Sequence, residues 1–247
     1  HVIYSKKNIL KNFQKAISKS YLKSEKFIFS PYTLSLLSYF ESPLSDTIMT
    51  IDFGHEKTSL GVFRNDSFIF ARSIPIGSWH VTNDISKSLN LNFEIAENLK
   101  KNHSSCKVLS SEMIHEYVES ENLGFKSYKK ISNNILNKIV NSRVEEIIDF
   151  INKELVFFKS HKQIFNKILI TGEGSKINGF YELLQEKLNI KALTVEKFSS
   201  KLKINIQDEF DVCLSMINFV QNPYNKEIPS YLKKKKGFFD KLYSLFN

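Results

Sequence analysis

Residues Thr47 to Asp84 read TIMTIDFGHEKTSLGVFRNDSFIFARSIPIGSWHVTND, and this segment carries the most informative pattern in the chain. Its first six residues predict a buried strand that ends at Asp52, and Gly54 begins the turn into a returning strand. A carboxylate at the end of a buried strand, followed by a glycine turn, suits a phosphate group with its Mg²⁺. The N–H groups of the turn can face the phosphate while the carboxylate holds the metal through water.

A second glycine loop lies in residues 167–179, which read KILITGEGSKING. This segment predicts an apolar strand, a loop containing Gly172, Gly174 and Ser175, and a helix that starts near Gly179. Glycines let a backbone approach a ligand closely, and the N-terminus of a helix favours anionic groups. An ordinary strand-to-helix connection has the same pattern, so the loop alone leaves both interpretations open.

Together the two segments resemble the phosphate and adenosine motifs of the actin, heat-shock chaperone and sugar-kinase superfamily. The chain resembles one bacterial family of that superfamily, the cell-division family FtsA, over its whole length. The order and spacing of four further blocks carry the resemblance: HVIYSKKNILKNFQKAISKSYLKSEKFIFSPYTLSLL, IPIGSWHVTNDIS, ISNNILNKIVNSRVEEIIDFINKEL and FDVCLSMINFV. The resemblance implies an α/β, actin-like fold of the ribonuclease-H-like class (ASKHA), with domain II complete and domain I only partial.

The resemblance also implies a division of the chain into three parts. Residues 1–45 are expected to be a remnant of domain I, comprising the end of subdomain 1C and the following helix. Residues 46–225 are expected to form domain II, with a subdomain insert at about 102–167 and a closing helix at 208–221. Residues 226–247 are expected to form a flexible linker and a C-terminal amphipathic helix.

Relatives of this kind carry most of domain I ahead of the position of His1, so we expect this chain to be the C-terminal portion of a longer protein. It should then bind nucleotide far less well alone than at full length. Within the first part, Phe27 to Phe29 predict a short strand. An apolar helix face is predicted there from Ile9, Leu10, Phe13, Ala16 and Ile17.

The formal net charge of +9 suggests an anionic partner, but the excess is lysine spread along the chain. Arginine occurs only at positions 64, 72 and 143, and no motif that reads RNA or DNA is present, so we predict no nucleic-acid partner. Cys106 and Cys213 fit no disulfide framework, which favours a reducing compartment. The six histidines form no zinc-binding cluster.

The resemblance assigns nucleotide contacts to both loops and to the helix between them, at Asp52, Gly54, Lys57, Thr58, Glu97, Lys100, Gly172, Gly174 and Ser175. It implies that Asp52 holds Mg²⁺ through water and leaves the catalytic residue unknown. Glu97 and Lys100 share a helix face at i and i+3, and the family places this pair beside the ribose and base. An exposed surface ion pair is the alternative interpretation.

The first loop departs from the family, which usually carries Asp-x-Gly-Gly-Gly-Thr. Here His55 and Glu56 replace two glycines, and the threonine is replaced by Lys57 or displaced to Thr58. Glu173 replaces a glycine of the second loop. These side chains crowd the loops and Glu56 adds negative charge, although Lys57 can compensate by contacting phosphate. We therefore predict weak binding of ATP and Mg²⁺, and at most a weak ATPase.

The C-terminus carries a separate physical signal. Four lysines, Lys233, Lys234, Lys235 and Lys236, precede a helix whose apolar face is predicted to contain Phe238, Phe239, Leu242, Leu245 and Phe246. Such a helix is about 15 Å long, roughly half of a bilayer core, so it cannot cross. It can lie in the interface with its lysines at anionic headgroups. A helix docked on the protein's own core is the alternative, which the lysine run disfavours.

The resemblance implies a cell-division protein that polymerises and tethers FtsZ to the cytoplasmic face of the inner membrane as a peripheral protein. The expected partners are FtsZ, further copies of the chain and anionic membrane lipids. Two alternatives stay open. One is another actin-like adaptor, such as a pilus-assembly protein, which usually lacks an amphipathic tail. The other is a phosphotransfer ATPase of the same superfamily, which needs an intact phosphate cradle.

Overall fold

The computed structural model describes residues 5–24, 26–41, 47–64, 67–107, 117–119, 130–156, 167–188 and 210–221. The helices in these ranges are α1 (Lys7–Lys19), α2 (Ser30–Glu41), α3 (Ser78–Leu89), α4 (Phe93–His103), α5 (Asn133–Glu154), α6 (Phe180–Leu188) and α7 (Asp211–Gln221). A short 3-10 helix spans Glu173–Lys176. The strands are β1 (Thr47–Phe53), β2 (Thr58–Arg64), β3 (Ser67–Ile74), β4 (Tyr117–Glu119), β5 (Lys130–Ser132) and β6 (Lys167–Thr171).

Four of the strands form one sheet in the order β3-β2-β1-β6. β1, β2 and β3 are joined antiparallel, while β6 lies parallel to β1 on its other side. Every residue of β1 except Asp52 is buried. A strand covered on both faces lacks a solvent-facing polar row, and the two threonines of the TIMTI segment are buried together with its apolar residues.

Different helices cover the two faces of this sheet. On one face Thr50 of β1 meets Ser35 of α2, with 2.7 Å between the hydroxyl oxygens. α7 packs against α2, and Thr33 and Ser215 join the two helices through hydroxyls 2.8 Å apart. On the other face Met49, Ile51 and Phe53 enter the main core with residues of α3, α5 and α6. Successive residues of β1 therefore point to separate helical layers.

The long helix α5 supplies much of that core. Its buried apolar residues recur at helical spacing: Leu136, Val140, Val144, Ile147, Ile148 and Ile151. Arg143 lies beside this row, and its Nε donates to Asp84 Oδ2 of α3 at 2.5 Å. α4 begins at an Asn92 cap, whose Oδ1 accepts the N–H of Ile95 at 2.8 Å. Neighbouring helices are thus joined by both packing and side-chain hydrogen bonds.

The first segment differs from its prediction in two respects. α1 forms, but it buries none of its residues, and Ile9 and Phe13 are 46% and 58% exposed. The predicted strand at Phe27 to Phe29 is wrong, because these residues adopt no strand. The ring of Phe29 instead packs edge-on against Phe68 of β3, with centroids 6.5 Å apart. High β-propensity alone is insufficient, since a strand also needs a neighbouring strand to accept its backbone hydrogen bonds.

Other predictions lie outside the described residues, including the opening strand at Val2 to Tyr4 and three stretches of the expected insert, at 108–116, 120–129 and 157–166. The same holds for the C-terminal linker and for the membrane-binding residues at 233–236, 238, 239, 242, 245 and 246. Among the helices that the structure describes, none is long and apolar enough to cross a bilayer.

Candidate functional site

The two predicted loops meet at one edge of the sheet. Because β1 and β6 are parallel neighbours, their carboxyl ends lie side by side, with Asp52 opposite Thr171. Gly172 follows at once with a φ of +90°, a conformation that favours glycine. A Cβ at Gly172 would lie 2.5 Å from the carbonyl oxygen of Phe53 and 2.7 Å from Asp52 Oδ1. The backbone of the second loop therefore touches the carboxylate that ends the first strand.

Asp52 lies between charges of both signs. Burial raises the pKa of its carboxyl above the ordinary value, Lys57 opposes that rise, and the Asp211 carboxylate adds to it. Asp211 is itself buried at the start of α7, where its Oδ2 accepts the Thr171 hydroxyl at 2.8 Å. Asp211 is a site residue that sequence reasoning missed, because 40 residues separate it from Thr171 in the chain.

The side chains at this edge fit a magnesium ion that arrives with phosphate. Among the described residues, no three His, Cys, Asp or Glu side chains come close enough to hold a metal by themselves. Mg²⁺ is usually bound by one or two carboxylates together with water and phosphate oxygens. Asp52, partly buried at the strand end, can supply one such carboxylate.

The turn after β1 is fastened to the N-terminus of α3. The carbonyl oxygens of Gly54 and His55 accept the N–H groups of Ser78 and Trp79 at 2.9 Å and 2.8 Å. The N–H of Gly54 donates to Lys57 O within the turn at 3.1 Å, so it is not available to a phosphate. The remaining N–H donors of the turn are those of residues 55–57. This outcome narrows the prediction that the whole turn would face phosphate.

Gly77 makes this junction possible, and sequence reasoning missed its role. A Cβ there would lie 2.6 Å from both Gly54 O and Lys57 N, so a larger residue would push α3 off the turn. The signal available in the sequence was its position one residue before the start of α3, where Gly is a common N-cap.

Thr58 and Ser175 use their hydroxyls within the protein. Thr58 is fully buried, and its hydroxyl donates to Ile76 O at 2.8 Å, so it joins the start of β2 to the segment after β3. Its predicted contact with nucleotide gains no support from this placement. Ser175 donates to Gly172 O at 2.6 Å and closes the second loop. Gly174 lies against the ring of Phe53, where a Cβ would be 2.6 Å from ring carbons.

Glu97 and Lys100 form a partly buried cluster and not an exposed surface pair. Lys100 is 3% exposed, and its ammonium lies 2.8 Å from Glu97 Oε2. The Thr82 hydroxyl donates to the same oxygen at 2.5 Å. Burial works to raise the pKa of Glu97, but the hydrogen bonds from Lys100 and Thr82 outweigh it, and the pKa lies below its ordinary value. The carboxylate is therefore held ionised.

An ion pair connects this cluster to the second glycine loop. Lys101 Nζ lies 2.6 Å from Glu173 Oε1 and 3.4 Å from Glu97 Oε1. A cavity of about 190 Å³ lies beside it, lined by Lys100, Lys101, Glu173, Lys176 and Ile177. A second cavity of about 510 Å³ follows the loop from Gly172 to Gly179 and reaches Asp211. The sequence showed that Glu173 replaces a family glycine, but it did not indicate that Glu173 pairs with Lys101.

The structure thus places the predicted nucleotide residues, except the fully buried Thr58, along one continuous region. Asp52, Gly54 and Lys57 lie at the strand end, with Gly172, Gly174 and Ser175 beside them. Glu97 and Lys100 are connected to that region through Ser78. Lys100 Nζ lies 3.4 Å from the carbonyl oxygen of Ser78, and the N–H of Ser78 donates to Gly54 O in the first turn. Hydrogen bonds therefore link α4, α3 and both loops.

Solved structures identify the class of fold. MreB5 of Spiroplasma citri bound to AMPPNP matches with a TM-score of 0.66 at 17% identity, over 91% of this chain and 67% of that one. A chain of the PilM-PilN type IV pilus biogenesis complex matches with a TM-score of 0.62 at 19% identity, over 87% of this chain and 58% of that one. The fold is α/β and actin-like, as predicted from the resemblance.

Sequence comparison identifies the family within that class. Residues 49–214 match the family described as Cell division protein FtsA, and the chain belongs to this family. The Cell division protein FtsA of Agrobacterium fabrum is 24% identical over 185 residues, which are 74% of this chain and 42% of that relative. The chain therefore spans less than half the length of this relative.

Proposed function

We propose that this chain belongs to an actin-like cell-division protein that polymerises and tethers FtsZ to the cytoplasmic face of the inner membrane. In this proposal the protein binds ATP weakly with Mg²⁺ and hydrolyses it slowly at most. Membership of the FtsA family supports the role in division, and the MreB5 relative in fold was solved with AMPPNP. No residue is assigned as catalytic.

The observation that carries the nucleotide proposal is the contact between the two loops at the ends of β1 and β6. Gly172 brings the second loop against Asp52, so a phosphate at this edge would meet both loops. The N–H groups of residues 55–57 and the Lys57 ammonium would contact phosphate oxygens, and Asp52 would hold Mg²⁺ through water. Glu97 would accept a ribose hydroxyl, and Lys100 would keep that carboxylate ionised.

Calorimetry on the protein at its full natural length tests this site. We expect weak ATP binding that requires Mg²⁺ in the wild type and loses most of that requirement in Asp52→Asn. The 247-residue chain should bind less tightly than the full-length protein if the remainder supplies the other side of the cleft. Equal binding with and without Mg²⁺ would contradict the role of Asp52, and efficient saturable turnover would contradict the weak site.

The FtsZ contact is proposed for the outer part of domain II, at about residues 102–167, of which 108–116, 120–129 and 157–166 lie outside the described residues. This region is rich in lysine and could meet an acidic FtsZ peptide, so binding should weaken as salt rises. A pull-down with the FtsZ tail peptide tests the assignment. Retention of the peptide by a variant that lacks residues 108–129, and so keeps the core helix α5, would contradict it.

Filament formation would link the membrane and nucleotide proposals. A tail helix of under a dozen residues is marginal in water and would fold mainly on lipid. One copy would bind weakly, whereas a filament of copies would bind strongly through avidity. Nucleotide would act by shifting domain closure and assembly and not by rapid turnover. The family match favours this role over the pilus-assembly alternative, which shares the fold.

A further inference from the structure

The carboxylate of Glu97 is held mainly through one of its two oxygens. Oε2 accepts the Thr82 hydroxyl at 2.5 Å and lies 2.8 Å from the Lys100 ammonium. Oε1 lies 3.4 Å from Lys101 Nζ, an ammonium that is closer to Glu173, at 2.6 Å. Because each carboxylate oxygen accepts about two hydrogen bonds, Oε2 is saturated while Oε1 keeps acceptor capacity.

Thr82 is fully buried in α3, and its hydroxyl carries a single proton. Two acceptors lie near this hydroxyl, Glu97 Oε2 at 2.5 Å and Ser78 O at 3.3 Å. The carboxylate is closer and charged, and charge-assisted hydrogen bonds are the stronger kind, so the proton goes to Glu97. Thr82 therefore fixes the carboxylate from inside the protein.

We propose that Thr82 is a positioning residue that holds Oε2 of Glu97 so that Oε1 accepts a hydroxyl of the ribose of a nucleoside triphosphate. This inference rests on the proposed nucleotide site and adds to it the residue that orients the sugar contact. Glu97 is 20% exposed, so a ligand can reach it. Without Thr82, the broad terminal torsion of a Glu side chain lets the carboxylate rotate between the ammonium groups of Lys100 and Lys101.

A purely structural role for Thr82 makes a different prediction. A hydrogen bond that only joins α3 to α4 would affect the binding of every nucleotide to the same extent. A positioning role affects only ligands that carry the hydroxyl in question. The informative quantity is therefore the ratio of the dissociation constants of a deoxyribose analogue and of ATP.

The experiment measures the Kd values of ATP, 2′-deoxy-ATP and 3′-deoxy-ATP with Mg²⁺ on the full-length protein. In the wild type we expect one analogue to bind about tenfold more weakly than ATP, the loss typical of a hydrogen bond to a charged group. In Thr82→Val the ratio should fall close to one, and in Thr82→Ser it should stay near the wild-type value. Thr33→Val is the matched control, because Thr33 is a buried threonine of α2 that bonds Ser30 O and Ser215.

Several outcomes separate this inference from the proposed function. Wild-type protein that binds no ATP overturns both. Wild-type protein that binds ATP without preferring it over either analogue overturns the inference alone. The same holds if Thr82→Val keeps the wild-type ratio or weakens all three ligands equally. Melting curves identify an unfolded variant, and if Thr82→Val does not fold, the ratio in Thr82→Ala decides.

Discussion

Gly172 is the residue at which the two loops of the site come closest. Its φ of +90° and its contacts with Phe53 and Asp52 leave no space for a side chain. His55 and Glu56, which replace family glycines in the first loop, are exposed to solvent. The first turn therefore accommodates side chains that the family pattern lacks, and glycine is required where the second loop crosses β1.

Gly172→Ala should destabilise the fold and not only the site. The new Cβ would lie 2.5 Å from the Phe53 carbonyl oxygen, and the positive φ adds backbone strain. We expect the free energy of unfolding to fall by about 2 kcal/mol or more. Gly54→Ala is the control, since its nearest contact would be Lys57 O at 3.1 Å and its cost should be below about 1 kcal/mol. Equal denaturation midpoints for the two variants would show that the loops do not meet as described.

Asp52→Asn should weaken the Mg²⁺-dependent binding of ATP without lowering the melting temperature at pH 7. The pKa of Asp52 is raised above its unfolded value of 3.8, chiefly by burial, so the ionised form is disfavoured in the folded protein. The contribution of this carboxyl to stability is complete below about pH 3.8 and is lost as pH rises through the folded pKa. The asparagine carries no charge, so its melting temperature should equal or exceed that of the wild type at pH 7. Thermal melts across pH test this, and a lower melting temperature for the variant at pH 7 would contradict it.

At the scale of elements, charged side chains join helices that are distant in sequence. Arg143 of α5 binds Asp84 of α3 and also contacts Glu146, while Lys101 of α4 binds Glu173 beside the glycine loop. The Lys101 ammonium is half exposed, so its pair contributes little to stability and weakens with salt. Its effect is to hold α4, which lines the smaller cavity, against the second glycine loop.

Arg143→Ala should cost more stability than Arg72→Ala, although both arginines bind a carboxylate through Nε. The pair of Arg143 with Asp84 is 26% exposed on each side, whereas Arg72 is 57% exposed in its pair with Glu154. We expect losses of about 1–2 kcal/mol and below about 0.5 kcal/mol, respectively, because solvent screens the more exposed pair. Urea denaturation measures both. A larger loss for Arg72→Ala would contradict this ranking.

At the scale of the whole molecule, the four-stranded sheet carries helices on both faces and the proposed site at one end of its strands. α2 and α7 cover one face, the main core with α3, α5 and α6 covers the other, and both loops emerge at one end. α1 shares none of this burial, since every one of its residues stays at least partly exposed. The part of the chain that carries the proposed site therefore has its own core, and the proposed membrane tail at 226–247 follows that core.

Deletion of the residues after Tyr231 should release the protein from anionic liposomes without lowering the melting temperature. Phe239→Glu or Leu242→Glu should have the same effect, because each places a charge on the inserting face and opposes burial worth roughly 25 cal/mol per Å². Neutralising Lys233 to Lys236 should weaken binding to anionic vesicles more than to neutral ones. Vesicle flotation measures these effects. The tail proposal is wrong if the deletion variant still floats with anionic liposomes or if the deletion unfolds the core.

Local sequence was sufficient to predict the strand that carries Asp52, the turn into the returning strand and the glycine loop. Periodicity and glycine placement act over a few residues, so they can be read without knowing the fold. The failure at Phe27 to Phe29 has the same origin, since propensity was present but none of the strands that the structure describes pairs with this segment.

Tertiary structure alone decided which side chains meet. The pairing of β1 with β6 brings Asp52 to Gly172, and the start of α7 brings Asp211 near both. The packing of α3 on α4 likewise turns Glu97 from one half of an ordinary i, i+3 pair into a carboxylate held by Thr82 and Lys100. These contacts join residues that are distant in the chain, and such contacts depend on the packing of whole elements and not on local preference.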